Sequence, residues 1–205
     1  MPITRFEDLD LSRQYTYADY VAWQFRERVE LLRGWVARMS PAPSRYHPRV
    51  AGNLYLDIGR FLRERRCEAY SAPFDVRLPR TSGGETVVQP GICVIRDESN
   101  LTDQGCTGAP DWVIEVSSPQ RVPSASGASP LRRSDSKREM RDKYALYEES
   151  GVRAYWIVDP EHNAVLTYTL EGERPVNGPT YHADDEAPFA PRLFPELSLR
   201  GQDIF

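Results

Sequence analysis

Glu115 is the residue best placed to do chemistry, because it interrupts the apolar run Trp112-Val113-Ile114-Glu115-Val116. Such a run reads as a buried strand, where an ionised carboxylate is costly unless it is paired or holds a cation. That favours a functional carboxylate over a structural one, which would need a dedicated partner. Asp111 precedes it by four residues and points to the same face of an extended chain. The separation along one strand is about 13 Å, too far for the two acids to ligate one ion directly. Asp111 therefore reads as a strand-start residue. By spacing alone Lys143 is an exposed helix lysine and Glu30 an exposed hairpin residue. His47, His162 and His182 lack metal-ligand spacing, sit in loop-like or turn-like contexts, and read as surface histidines.

Other chemistries find less support. Ser82-Gly83-Gly84 connects two strands and does not open a helix, so it is no phosphate loop. The serines between Pro119 and Ser134 have no organised base nearby in sequence, which leaves nucleophilic hydrolysis without a candidate. Three scattered cysteines, Cys67, Cys93 and Cys106, suit reduced thiols better than a disulfide framework or a Cys-based zinc site.

The elements that must position these groups are readable from patterning. Thr16, with Asp19 three residues on, caps a first helix that should run to about Arg26. Val29–Leu32 and Trp35–Arg38 flank Arg33-Gly34 as a tight hairpin. From Arg49 to about Arg65, Val50, Leu54, Ile58, Phe61 and Leu62 recur at helical spacing. Phe74–Leu78 alternates like a half-buried strand, whereas Val87–Ile95 and Val113–Val116 are almost continuously apolar, as expected of strands covered on both faces. Residues 119–134 are rich in Pro, Ser, Gly and Ala and read as a mobile surface loop. Ser136–Glu149 predicts a helix stopped by Gly151, and Ala154–Val158 and Val165–Leu170 predict two strands around a turn. The remainder reads as a peripheral loop with a short closing strand at Leu193–Leu199.

With 205 residues the chain suits one well-buried core, so a single domain spanning 1–205 is expected. No apolar run approaches the roughly 20 residues that cross a bilayer, and no membrane association is expected. Met1–Asp10 lacks the charged-then-apolar pattern of a signal segment, which predicts a cytoplasmic protein. A net charge of −4 does not announce a nucleic-acid binder. Basic residues do crowd two stretches: Arg60, Arg63, Arg65 and Arg66, and Arg132, Arg133, Lys137, Arg138, Arg141 and Lys143. Such runs are more often solvated helix faces than phosphate tracks.

Several separated motifs occur in one order: Gln89-Pro90-Gly91, Ala109-Pro110-Asp111-Trp112-Val113-Ile114-Glu115-Val116, the segment from Lys143 to Val152, and Tyr155-Trp156-Ile157-Val158-Asp159-Pro160. Together they resemble the Uma2-type endonucleases of the PD-(D/E)XK nuclease superfamily, from the first helix to about Leu170. The resemblance implies an α/β restriction-endonuclease-like core, a mixed central sheet flanked by helices. It also implies Mg²⁺-dependent hydrolysis of phosphodiester bonds, with Mn²⁺ as a substitute and nucleic acid, DNA first, as the partner; a homodimer is compatible with it. Glu115 is then a metal ligand, the Val116 carbonyl a second, and Glu30 an auxiliary ligand or water-orienting group. Lys143 stabilises charge on the phosphoryl oxygens, having moved from the strand, where Ser117 stands, to the helix. The family pattern has an aspartate ligand where this chain has Gly91, and often Glu where it has Ala154. Asp75 offers a substitute acid, although the family often carries Asp there too. Two functions follow as expectations: a metal-dependent endonuclease weakened at Gly91, or a catalytically inactive binding or assembly module on the same frame.

Overall fold

The computed structural model describes residues 3–39, 44–81, 83–117, 136–170 and 176–205. The expected 119–134 loop, with Arg132 and Arg133, lies outside the described residues. Helix α1 (Tyr17–Ala22) begins at a reciprocal cap, in which Thr16 accepts from the Asp19 N–H and the Asp19 carboxylate accepts from the Thr16 N–H. It stops at Ala22 and not near Arg26. Trp23 turns extended, its ring packs against Tyr15 and Phe25, and the Gln24 N–H donates to the Ile3 carbonyl.

The hairpin of β1 (Val29–Leu32) and β2 (Trp35–Arg38) forms as expected. Arg33 and Gly34 have φ of 52° and 82°, the paired left-handed conformation that a two-residue turn of this hand requires. Helix α2 (Tyr46–Leu62) starts three residues before Arg49, because Pro48 falls in the first turn, where a missing N–H breaks no helical bond. Val50, Leu54, Ile58 and Leu62 form its buried stripe. On its far side Arg60 pairs with Asp57 and Arg65 folds over the Phe61 ring, so part of this basic stretch is internally occupied.

The chain continues through β3 (Glu68–Ser71), β4 (Asp75–Thr81), β5 (Gly84–Val88), β6 (Ile92–Ile95), β7 (Leu101–Thr102), β8 (Gly105–Thr107) and β9 (Trp112–Val116). Helix α3 (Ser136–Ser150) follows, then β10 (Ala154–Asp159), β11 (Ala164–Thr169), β12 (Val176–His182) and a terminal turn of helix, α4 (Gly201–Ile204). Gly151, at φ 88°, ends α3 as expected. In place of one central sheet there are two six-stranded mixed sheets among the described residues. The first runs β2-β1-β5-β4-β8-β7, with β4 and β8 parallel; the second runs β12-β11-β10-β9-β6-β3, with β9 and β10 parallel.

The split lies inside the Val87–Ile95 run. Gln89-Pro90-Gly91 separates β5, in the first sheet, from β6, in the second. Pro90 has no N–H for a ladder, and the Gln89 N–H donates to the Glu30 carboxylate. Gly91 thus stands at the crossing and not within a strand. Residues 176–182, expected as loop, form an edge strand, whereas Leu193–Leu199 gives only an isolated bridge from Leu199 to Phe189.

Alternation along β9 assigns the faces. Trp112, Ile114 and Val116 pack with α2, Trp156, Val158 and the C-terminal Phe189, Phe194 and Ile204. Val113 faces the other way, into a core shared by Val76, Leu78 and Val88 of the first sheet and Tyr147 of α3. Glu115, two residues after Val113, opens onto that second face at the end of β9.

Candidate active site

The structure brings Glu30, Lys143 and Glu115 together, on β1, α3 and β9. Lys143 Nζ lies 3.1 Å from Glu30 Oε1 and 2.9 Å from Glu115 Oε1. Neither Lys143 nor Glu30 is exposed, as spacing alone suggested. Their side chains are 9% and 4% accessible, and that of Glu115 is 18% accessible. Each buried charge therefore has a direct counter-charge, which is what makes its burial tolerable.

Two more groups fix the carboxylates. Tyr147 donates its hydroxyl to Glu115 Oε1 at 2.8 Å, and the Gln89 N–H donates to Glu30 Oε1 at 2.9 Å. Burial, and then the negative charge of Glu115, push the Tyr147 phenol well above its ordinary pKa, so it stays a proton donor. Behind Gln89, Asp75 Oδ1 accepts from Gln89 Nε2 at 2.7 Å and from Tyr20 Oη at 3.1 Å, while Arg28 Nε donates to Gln89 Oε1 at 2.8 Å. Asp75 thus supports the frame from one layer out.

The hydrogen bonds made by Glu30 and Glu115 among the described residues all go to Oε1, which leaves each Oε2 without a protein partner there. Two carboxylates share one ammonium, so these three side chains together carry one excess negative charge. Among the described residues no three His, Cys, Asp or Glu side chains form a compact metal cluster. Hard cations such as Mg²⁺ commonly use only one or two carboxylates with carbonyl and water oxygens, and the donors present, Glu115, the Val116 carbonyl and Glu30, suit that chemistry.

Asp111 takes no part. Its Oδ2 accepts from the Arg96 N–H at 2.9 Å and its Oδ1 pairs with Arg153 at 3.3 Å, while its carbonyl receives the N–H groups of Arg153 and Ala154. These contacts tie the start of β9 to β6 and β10, the strand-start role expected. A Cβ built on Gly91 would meet the Ile114 carbonyl oxygen at 3.1 Å and the Val116 nitrogen at 3.4 Å. Gly91 therefore lies against the backbone on either side of Glu115, with no side chain to offer.

One histidine departs from its expected surface role. His162 is exposed and bound to Asp159, and His182 is exposed. His47, in the first turn of α2, is half-buried with Nε2 3.0 Å from the Val116 carbonyl oxygen. Nothing in its spacing signalled this contact. Tyr147 was legible in principle, standing four residues after Lys143 on one helix face.

A nuclease-like α/β fold is what this architecture represents. It is similar to the crystal structure of a "putative nuclease belonging to DUF820" from Anabaena variabilis, with a TM-score of 0.65 and 20% identity over 93% of this chain and 97% of that one. At that identity the likeness speaks for the fold. No curated protein matches the chain. The model of the Uma2 family, described as "Putative restriction endonuclease", matches residues 17–201, and the chain belongs to that family. Membership supports a nuclease function in general.

Proposed function

We propose that this Uma2 protein is a divalent-metal-dependent endonuclease of the cytoplasm that hydrolyses phosphodiester bonds in DNA, with Mg²⁺ as its cofactor and Mn²⁺ as a substitute. The observation that carries the reading is the Glu30–Lys143–Glu115 triad, in which one ammonium bridges two carboxylates whose outer oxygens have no protein partner among the described residues. Glu115 and the Val116 carbonyl would hold the cation, with Glu30 as auxiliary ligand. When bound, the cation supplies Lewis acidity toward the phosphate and lowers the pKa of an attacking water.

The remaining work falls to the chain's own groups. Lys143 bonds the Oε1 oxygen of each carboxylate, and from there its charge would oppose the negative charge that develops on the phosphoryl oxygens. Tyr147 and the Gln89 N–H hold Glu115 and Glu30 through the same Oε1 oxygens. Gly91 contributes no side-chain oxygen, which lowers the expected affinity for the cation.

A second reading, an inactive binding or assembly module, is favoured by one observation: the backbone beside Glu115 lies within 3.1 Å of where a Cβ at position 91 would stand. A plasmid-nicking assay at low salt with Mg²⁺ or Mn²⁺ separates the two. The enzyme reading expects metal-dependent nicking abolished in Glu115→Gln and reduced at least about a hundredfold in Lys143→Ala, the size seen when an electrostatic donor is removed. Cleavage absent in the wild type, or unchanged in Glu115→Gln, would leave the module.

A further inference from the structure

We infer that His47 is itself a ligand of the cation, filling from α2 the vertex that Gly91 leaves open. The inference rests on the proposed metal site and extends it to a residue from the opposite layer of the fold.

The spacing suits a shared ion. Two donors in adjacent positions on an octahedral ion, with bonds of about 2.1 Å, stand about 3.0 Å apart. His47 Nε2 and the Val116 carbonyl oxygen are separated by 3.0 Å. Without a cation the same spacing accommodates an Nε2–H donated to the carbonyl. With the proton on Nδ1, a small turn of the ring would let the bare Nε2 and the carbonyl oxygen meet one ion side by side.

The position is equally telling. A Cβ on Gly91 would lie 3.4 Å from the Val116 nitrogen and 3.7 Å from Val116 Cγ2, so an acid at 91 and the ring of His47 both address the residue that follows Glu115. The ring is held there by a well-anchored element. Val50 and Leu54, one and two turns along α2, are buried in the core that contains Ile114 and Val116. His162 and His182, the only other histidines of the chain, are exposed and far in sequence from this helix.

The ligand set would then be one imidazole, one carboxylate and one carbonyl, with Glu30 in reserve. Imidazole moves selectivity away from Mg²⁺ toward first-row transition ions, Mn²⁺ among them. Purified protein should therefore bind Mn²⁺ more tightly than Mg²⁺, and a nitrogen should be directly bonded to the manganese.

Pulsed EPR of the Mn²⁺-loaded protein reads that bond without reference to activity. The result expected is a ¹⁴N coupling that changes to the ¹⁵N pattern in protein made with ¹⁵N-histidine and that persists in the double variant H162Q/H182Q, in which His47 is the sole histidine. His47→Gln should abolish the coupling and weaken Mn²⁺ binding at least about tenfold, the lower bound for losing even an outer partner of a metal. The labelled wild type and the double variant keep the test decisive should His47→Gln fail to fold. Manganese bound with no histidine coupling, in a site that Glu115→Gln destroys, overturns the role of His47 and leaves the proposed metal site standing. Absence of Mn²⁺ binding, or binding that Glu115→Gln leaves unchanged, overturns both.

Discussion

Replacing Lys143 by Met tests how the candidate site is held together. The side chain is nearly isosteric, so what changes is the ammonium bridging Glu30 at 3.1 Å and Glu115 at 2.9 Å. Breaking one buried pair costs about 3–5 kcal/mol, chiefly because an uncompensated charge stays behind. Here two carboxylates lose their partner, but Glu115, at 18% accessibility, recovers part of its solvation, and both retain a neutral donor. We expect a net loss of about 4 kcal/mol, which for a chain of this size lowers the melting temperature by about 8–16 °C. Thermal melting in EDTA measures it. The double variant K143M/E30Q should recover roughly half the loss, since it removes the more deeply buried orphan charge; the two sites must be non-additive because they are in contact. Mn²⁺ at about a hundred times its Kd should return about 2.7 kcal/mol to Lys143→Met by binding the folded state alone. A single variant that melts within about 2 °C of wild type in EDTA would refute the reasoning, because at that level Lys143 behaves as an ordinary surface lysine.

Three further outcomes are expected. Tyr147→Phe removes one hydroxyl from Glu115 and should cost about 1.5 kcal/mol in denaturant melts, the low end for a hydrogen bond to a charged group, with nicking reduced more than binding. Gly91→Asp should destabilise the protein by about 1–3 kcal/mol in EDTA, since its Cβ must push back the Ile114 carbonyl, and should gain more from Mn²⁺ than the wild type does; equal gains would show that position 91 does not reach the ion. His162 titrates above the ordinary histidine range because Asp159 accepts its Nδ1–H and adds a negative charge. The stability this adds is fully present below the unfolded histidine pKa and fades as pH rises through the folded one. Proton NMR should show the raised titration fall back in Asp159→Asn.

What could be read from sequence was local. The Thr16–Asp19 cap, the Arg33-Gly34 turn and the isolated acid of β9 depend on neighbours within a few residues, and the structure has all three where patterning put them. Lys143 and Glu30 are 113 positions apart, and no spacing rule links a hairpin to a helix at that distance. Their burial is a tertiary fact that only the family resemblance hinted at. The division into two sheets was missed because the apolar stretches on either side of Gln89-Pro90-Gly91 read as one run, although Pro and Gly there are break signals. Strand β12 was missed for the opposite reason: Val176-Asn177-Gly178-Pro179-Thr180 lies mostly exposed at a sheet edge, where proline is tolerated and no apolar alternation is required. His47 escaped because the helical spacing is readable only from Arg49, whereas α2 starts at Tyr46 and carries His47 in its first turn.

The two acids of the candidate site ride on different sheets, Glu30 on β1 of the first and Glu115 on β9 of the second, linked by Lys143 of α3 and by the Gln89-Pro90-Gly91 crossing. No strand register sets their spacing. It is set by the thickness of the apolar filling between the sheets, by residues such as Val88, Cys93 and Val113 that carry no chemistry. A methyl group added to or taken from that filling acts as a shim under one jaw of a vice. Substitutions there should tune the grip of the site on a cation while leaving every ligand in place, which makes the inter-sheet core the natural library for anyone seeking to tighten or loosen it.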